Sequence, residues 1–278
     1  MTLSVNGNSA ALAALAALNR TTDDLAATNT RVASGIKVAA AKDNASVYAV
    51  AQSQRADVRA LSAVTDGLNR AQSISDVAIS AGQSVSDLLN ILKEKALAAT
   101  DSTLDATSRA ALNSDFQSTL QRIAQTISAA SFDGSNLLDG TLTGGLPFIA
   151  SADASASITL VGQNFSLGGS TITVPGTGDI ATQTNASAML ALAASSIANV
   201  NSAIANLGAQ SDQVVAHTSF VGKLSDSLTI GIGNLVDADV AAESARLTAL
   251  QVAQQLGAQG LSIANQTPQI ILSLFKGG

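Results

Sequence analysis

Several residue types that usually build catalytic or cross-linked proteins are absent or rare in this chain of 278 residues. There is no cysteine, so disulfides and thiolate metal sites are excluded. A single histidine, His217, excludes the two-histidine zinc motif H-E-x-x-H. Tryptophan is absent and aromatic residues make up 3% of the chain, which is unlike an enzyme core. We therefore predict no enzymatic activity, no metal and no cofactor.

Charge is also scarce, at 12% of residues. The 14 basic residues against 20 acidic ones give a net charge of −6, which argues against nucleic acid as a partner. No apolar run reaches the roughly 18–20 residues of a membrane span, so we predict no membrane segment. The apolar run at residues 10–18 has no basic residue before it and continues a helical pattern. We interpret it as mature protein rather than a cleaved signal peptide.

Small and apolar residues at helical spacing fill most of the chain. Helical patterns cover residues 9–37, residues 44–98, a third segment capped by Thr103 or Asp105, and residues from about 185 to the C-terminus. From Ile197 to Leu235 apolar or small residues alternate at spacings of three and four, which is typical of a coiled-coil bundle. The chain ends on an apolar cluster at residues 270–275, which is a poor free tail and needs a partner.

The middle of the chain has a different character. Residues 141–184 contain no lysine or arginine and are rich in serine and threonine. Two runs, at residues 157–161 and 170–174, alternate polar and β-branched residues between glycines and prolines, as hairpins do. We expect a β-type insertion displayed to solvent.

Together these patterns predict a mainly α fold: a long antiparallel helical coiled-coil bundle formed from both chain ends, with a small central β-hairpin insertion. The two terminal helices are expected to meet each other and then other copies of the same chain. The candidate interface residues are Leu15, Leu18, Leu25, Val32 and Ile36 near the N-terminus, and Leu247, Leu250, Leu256, Ile263, Leu272, Leu274 and Phe275 near the C-terminus.

Short motifs at both ends carry a family resemblance. Residues 18–19 read LN, residues 31–37 RVASGIK, residues 41–45 AKDNA and residues 132–138 FDGSNLL. Residues 237–239 read DAD, residues 254–255 QQ, and residues 264–269 ANQTPQ, with LSLF at residues 272–275. In this order they resemble the LN, RLSSGLR, AKDDAA, FNG-x-x-LL, DAD, QQ and ANQ-x-PQ-x-x-LSLL motifs of bacterial flagellins, in particular those of alphaproteobacteria.

The resemblance implies a structural subunit that self-assembles into the flagellar filament for swimming motility. It implies extracellular localisation, export through the flagellar type III channel without a cleaved signal peptide, and an export chaperone, the filament cap and hook-junction proteins as further partners. Residues 1–42 plus 237–278 would form the terminal coiled-coil domain of the inner tube. Residues 43–140 plus 185–236 would form the helical bundle of the outer tube, and residues 141–184 a surface insertion.

Two other functions stay open at this point. A hook–filament junction protein would share the terminal helices, and self-polymerisation separates it from a filament subunit. A secreted coiled-coil interaction module would stay monomeric until it met its partner.

The resemblance also implies two kinds of recognition site. Ile91, Leu92, Lys93, Glu94 and Lys95 lie where many flagellins have an Arg-Val-Arg-Glu-Leu core bound by an innate immune receptor. Because Ile91 replaces an arginine and Lys95 a leucine, we expect weak recognition. Flagellins of this kind are often O-glycosylated on exposed loops, and the candidates here are Thr141, Thr143, Ser151, Ser155, Thr171, Thr173 and Thr177.

Overall fold

This computed structural model describes the backbone of residues 8–276 and the side chains of residues 8–266. The described part holds five helices and two strands, in the order α1 (Ser9–Ser34), α2 (Ala45–Ala99), α3 (Ala106–Ala129), β1 (Leu146–Ile149), β2 (Ser157–Leu160), α4 (Gln183–Val236) and α5 (Val240–Lys276). The predicted mainly α class with a small hairpin is confirmed.

Polar side chains fix where the helices begin. Asp105, one of the two predicted caps, accepts a hydrogen bond from Ser108 N at 2.7 Å and starts α3. This hydrogen bond lowers the pKa of the Asp105 carboxyl. Asn8 caps α1 through Ala11 N, while Gly35, at a φ of 70°, ends the helix in the left-handed conformation that glycine adopts easily.

The chain divides into two compact units. We call residues Met1–Arg55 and Leu228–Gly278 the terminal unit, and Ala56–Ser227 the central unit. The division passes through α2 and α4, whereas the sequence placed it at the loops near residues 42 and 237. Residues 141–184 belong to the central unit, and the assignment of layers to an inner and an outer tube stays a prediction.

The core of the central unit joins all of its segments. Gly82 of α2 comes so close to α4 that a Cβ there would stand 3.0 Å from Ile204 Cγ1. Ser86 of α2 also donates to Asn201 Oδ1 of α4 at 3.0 Å. The largest fully buried side chains are Leu68, Leu89, Leu92, Phe116, Leu120, Ile123, Leu137, Leu138, Leu160, Phe165, Ile172 and Ile180.

The first predicted β run pairs and the second does not. β2 forms an antiparallel hairpin with β1, with Phe148 opposite Ile158. The prediction of a strand at residues 170–174 is wrong. The backbone N–H of Thr173 donates to Ser196 Oγ at 2.9 Å, so α4 satisfies a group that a partner strand would otherwise bind. Ile172, beside it, is fully buried.

Helix α4 is the most apolar of the five helices. By length and composition alone it could cross a membrane, since an 18-residue window has a mean hydropathy of 1.4. No single apolar run in the sequence had suggested this. The residues of its predicted stripe, three or four positions apart, are instead buried or half-buried in the protein, and Val200, Leu207, Val214 and Val221 are among the buried ones. This periodic burial is typical of a bundle helix.

Two leucines five residues apart on α2 test this description of the core. Leu92 is fully buried, while Leu97 is 57% exposed. We expect Leu92→Ala to lower the free energy of unfolding by about 2–5 kcal/mol, because it removes buried methyl groups and leaves a cavity. Leu97→Ala should cost no more than about 0.5 kcal/mol. Urea unfolding of the two monomers measures both values, and equal losses would contradict the assignment.

Candidate functional site

The candidate functional sites among the described residues are packing surfaces and not clusters of catalytic side chains. No group of three or more His, Asp and Glu side chains that could hold a metal ion occurs in this part of the chain. Asp239, which lies near Asp237 in sequence, is a helix cap: its Oδ1 accepts from Ala241 N at 3.0 Å and Ala242 N at 3.1 Å. The candidate site is therefore the packing surface of the terminal unit.

Helices α1 and α5 form an antiparallel pair in constant register. Their contacts run from one end of the pair to the other: Asn8 Nδ2 donates to Ala264 O at 2.7 Å, Gln254 Nε2 to Thr22 Oγ1 at 3.4 Å, and Arg31 Nη1 lies 3.6 Å from Glu243 Oε1. The helices approach closely at Gly257, where a Cβ would stand 3.2 Å from Leu18 Cδ1. The predicted meeting of the two chain ends is confirmed for the described residues.

A short antiparallel bridge joins the two ends of the chain at the base of this pair. Ile36 and Asp237 lie opposite each other in an isolated bridge. Lys37 N donates to Val236 O at 2.6 Å, and Ala238 N donates to Gly35 O at 2.8 Å. These bonds fix the starting point from which α5 runs back along α1.

Six of the twelve predicted interface residues lie half-buried along the pair. On α1 and just after it these are Leu18, Leu25, Val32 and Ile36, and on α5 they are Leu247 and Leu250. Leu15 is 42% exposed. The side chains of Leu272, Leu274 and Phe275 lie outside the described residues.

Leu256 and Ile263 do not pack on α1 as predicted. They are 62% and 66% exposed, and Val252 is 51% exposed. At 3.6 residues per turn these three residues lie within about 40° of one another. Leu250, Gly257 and Leu261, which are half-buried, point to the opposite side of the helix. Helix α5 therefore carries large apolar side chains on two sides, with the uncharged Gln259 on the same face as Val252 and Ile263, and α1 covers the other side.

The uncovered side is also free of charge. We call Val252, Leu256 and Ile263 the outward stripe of α5. Of the described side chains on α5, the charged ones are Glu243, which faces Arg31, and Arg246, which lies about 100° around the helix from the stripe. A solvated helix face is normally polar, so this face is typical of one that another surface covers.

Other apolar side chains of the terminal unit are exposed as well. They are Leu12 on α1, Val50 on α2, Ile230 on α4 and Val240 on α5. Sequence reasoning missed Leu12 and Val252, although the spacing of Val252, Leu256 and Ile263 by four and seven residues was a signal for a second stripe.

The predicted receptor-binding segment lies on α2 of the central unit. Leu92 is buried, whereas Ile91, Lys93 and Glu94 are exposed. Lys95 lies 3.1 Å from Asp115 Oδ2 on α3, so an ion pair holds it. Leu92 therefore contributes to the core rather than to an accessible surface.

The candidate glycosylation residues differ in how accessible their hydroxyls are. Thr141 donates to Asp139 Oδ1 at 2.6 Å. Ser151 and Ser155 both donate to Asp153 Oδ1, at 2.7 and 2.8 Å, and these bonds lower the pKa of Asp153 to about 2. Thr143 and Thr177 are exposed and Thr171 is half-buried.

The prediction that Thr173 lies on an exposed loop is wrong. Its hydroxyl donates to Leu192 O at 3.2 Å and lies 3.1 Å from Ser196 Oγ. Both partners belong to α4, because the segment packs along that helix.

Comparisons with known proteins give the same assignment at both ends. The family model for the bacterial flagellin N-terminal helical region matches residues 5–143, and that for the C-terminal helical region matches residues 190–275. Flagellin FljJ of Caulobacter vibrioides is 49% identical, with all of both chains covered. A flagellin of Brucella melitensis is 36% identical, with 99% of both chains covered.

Two solved structures share the fold. A crystal structure of Bacillus cereus flagellin has a TM-score of 0.50 at 20% identity, covering 56% of this chain and 88% of that one. A putative flagellar hook-associated protein from Vibrio parahaemolyticus has a TM-score of 0.59 at 12% identity, covering 70% of this chain and 100% of that one. With both family models matched in order and full-length relatives at such identity, the chain belongs to the bacterial flagellin family.

Proposed function

We propose that the outward stripe of α5 is a surface through which copies of this chain polymerise. The observation that carries the proposal is the exposure of Val252, Leu256 and Ile263 on a helix face without charge. Covering such a face stabilises by roughly 25 cal/mol for each Å² of apolar surface removed from water. Because α1 covers the opposite face of α5 within the same copy, the proposed cover for this face is another copy.

The polymer that this surface would build is the flagellar filament. As a flagellin the chain is a structural subunit of the filament, outside the cell, and not an enzyme. A junction protein is not favoured, because the relatives that match over the full length are flagellins. The likeness to the Vibrio hook-associated protein, at 12% identity, concerns the fold alone.

The site residues are proposed to act at two levels. Leu18, Leu25, Val32, Ile36, Leu247 and Leu250 hold α1 and α5 together within one copy, and Leu15, Leu256, Ile263, Leu272, Leu274 and Phe275 contact other copies. In the filament residues 1–42 and 237–278 would line the inner tube, residues 43–140 and 185–236 would form the outer tube, and residues 141–184 would lie on the surface. Heterologous contacts of this kind extend without closing, as a helical filament requires.

Export through the flagellar type III channel, with a chaperone and without signal cleavage, is part of the same proposal, as are the filament cap and hook-junction proteins. The place of residues 10–18 in the fold supports the absence of signal cleavage. This segment lies within α1, and Leu18 packs against Gly257 of α5. Removing it would uncover the partner helix.

A charge on the outward stripe tests the polymerisation surface. We expect Leu256→Asp to leave the monomer folded, because the side chain is 62% exposed, and to abolish seeded polymerisation. Gln251→Asp is the matched control: it adds the same charge at an exposed polar position about 100° around the helix from Val252. Electron microscopy and sedimentation after seeding measure assembly. Normal filaments of Leu256→Asp would contradict the proposal.

Receptor recognition is proposed to be weak. Ile91 offers no charge-assisted contact where the family has arginine, and Lys95 places an ammonium group where the family has leucine. We expect low potency of the monomer in a receptor reporter assay and a gain for the double variant Ile91→Arg, Lys95→Leu. The single variant Lys223→Arg, elsewhere on the central unit, should change nothing. Full potency of the unsubstituted monomer would refute this expectation.

We propose Thr143 and Thr177 as the preferred glycan acceptors, because both are exposed and their hydroxyls are not engaged in side-chain hydrogen bonds within the described residues. Protein purified from its native cells should then exceed the sequence mass of 27.7 kDa. Intact-mass spectrometry should show the excess fall in Thr143→Ala and Thr177→Ala, and persist in Thr173→Ala. An intact mass equal to the sequence mass would dismiss glycosylation.

A further inference from the structure

A groove of about 610 Å³ lies within the central unit, between α2 and the β-hairpin. One side is made of small residues of α2, including Ala60, Ala63 and Gly67, and the other of apolar residues of β1. A Cβ added at Gly67 would meet no atom within 4 Å, and Ile149 on the far wall is 54% exposed. The groove is open and apolar, and a helix face could approach α2 closely there.

Two opposite charges lie at the edge of this groove. Arg70 Nη1 and Asp133 Oδ2 are 3.7 Å apart, and their side chains are 57% and 63% exposed. An exposed pair at this distance contributes little to stability. Both groups can therefore exchange this partner for one on an incoming surface.

A complementary surface occurs on α4 of the same unit. Phe220 and Leu224 are 57% and 36% exposed, and their spacing by four residues puts them on one helix face. Lys223, also exposed, lies beside them at about 60° around the helix from Phe220. We call Phe220, Leu224 and Lys223 the α4 knob. Neither Phe220 nor Leu224 lines the groove of its own copy.

The single histidine holds the knob in position. His217 Nε2 lies 2.7 Å from Ala150 O, and because a carbonyl oxygen cannot donate, the nitrogen carries the proton. The ring of His217 is thereby fixed, and the ring of Phe220 lies against it with a centroid distance of 5.7 Å. A side chain that is already positioned loses less conformational entropy when it binds.

We propose that the groove of one copy receives the α4 knob of a second copy in the assembled polymer. The inference rests on the proposed function, because polymerisation is what brings the two surfaces together. Lys223 would meet Asp133, while Phe220 and Leu224 enter between α2 and β1. A knob and a groove on different parts of one chain form a heterologous contact, which extends a polymer rather than closing a dimer.

Cysteine cross-linking in the filament tests this contact directly, because the chain has no cysteine of its own. Gly67→Cys and Phe220→Cys are prepared separately, mixed in equal amounts, polymerised on wild-type seeds and treated with a short thiol-to-thiol cross-linker. We expect covalent dimers in the mixed filaments and none in filaments of either variant alone. Mixed filaments that form normally without cross-linked dimers would overturn the inference while leaving the proposed function intact.

A charge exchange keeps the test decisive if either cysteine variant does not polymerise. Asp133→Lys should raise the critical concentration for polymerisation about fivefold, since it sets like charges opposite each other. Adding Lys223→Asp should bring it back to within about twofold of wild type. Arg122→Asp, at an exposed position of α3 away from the groove, is the control for a reversed charge. No recovery in the double variant would overturn the inference, whereas failure of wild type to polymerise would count against the proposed function.

Discussion

The structure of the terminal unit depends on one constraint: α5 carries large apolar side chains on two opposite sides, and α1 covers one of these sides. An antiparallel pair can bury one side of each helix, and here it does so closely, with Leu18 against Gly257 and Arg31 beside Glu243. The second side keeps Val252, Leu256 and Ile263 in water. Contact with another copy would remove this surface from water. The terminal unit therefore has a defined fold but keeps an exposed apolar stripe on α5.

The central unit, in contrast, buries the apolar faces of its long helices within one copy. Its long helices are held by fully buried side chains such as Leu92 and Phe116. Side-chain amides of α3 bind the irregular segment at residues 178–180, just before α4. Asn113 Oδ1 accepts from Ile180 N at 2.8 Å, and Gln117 Nε2 donates to Gly178 O at 3.0 Å. A unit that closes its own core can be stable before assembly. Folding of the subunit and growth of the filament can thus rely on different residues.

Periodicity in the sequence correctly predicted the helices that bury a single face. The stripe on α4 from Ile197 to Leu235 is buried or half-buried at every predicted position, and Asp105 caps α3 as expected. Periodicity failed where one segment has two environments. Leu256 and Ile263 have helical spacing, but the spacing alone does not say which side of α5 faces α1.

The strand predicted at residues 170–174 failed for a different reason. Alternating β-branched residues indicate an extended segment with one buried side, but they do not identify the partner of its backbone. Here α4 supplies that partner through Ser196. The groove beside β1 was equally invisible in the sequence, because α2 and residues 146–154 come together only in the fold.

Cryo-electron microscopy of wild-type filaments at side-chain resolution tests the central claim most directly. We expect Val252, Leu256 and Ile263 of each copy to be in van der Waals contact with apolar side chains of a neighbouring copy. Filaments in which these three side chains face solvent, while other surfaces of the chain make the contacts between copies, would contradict it.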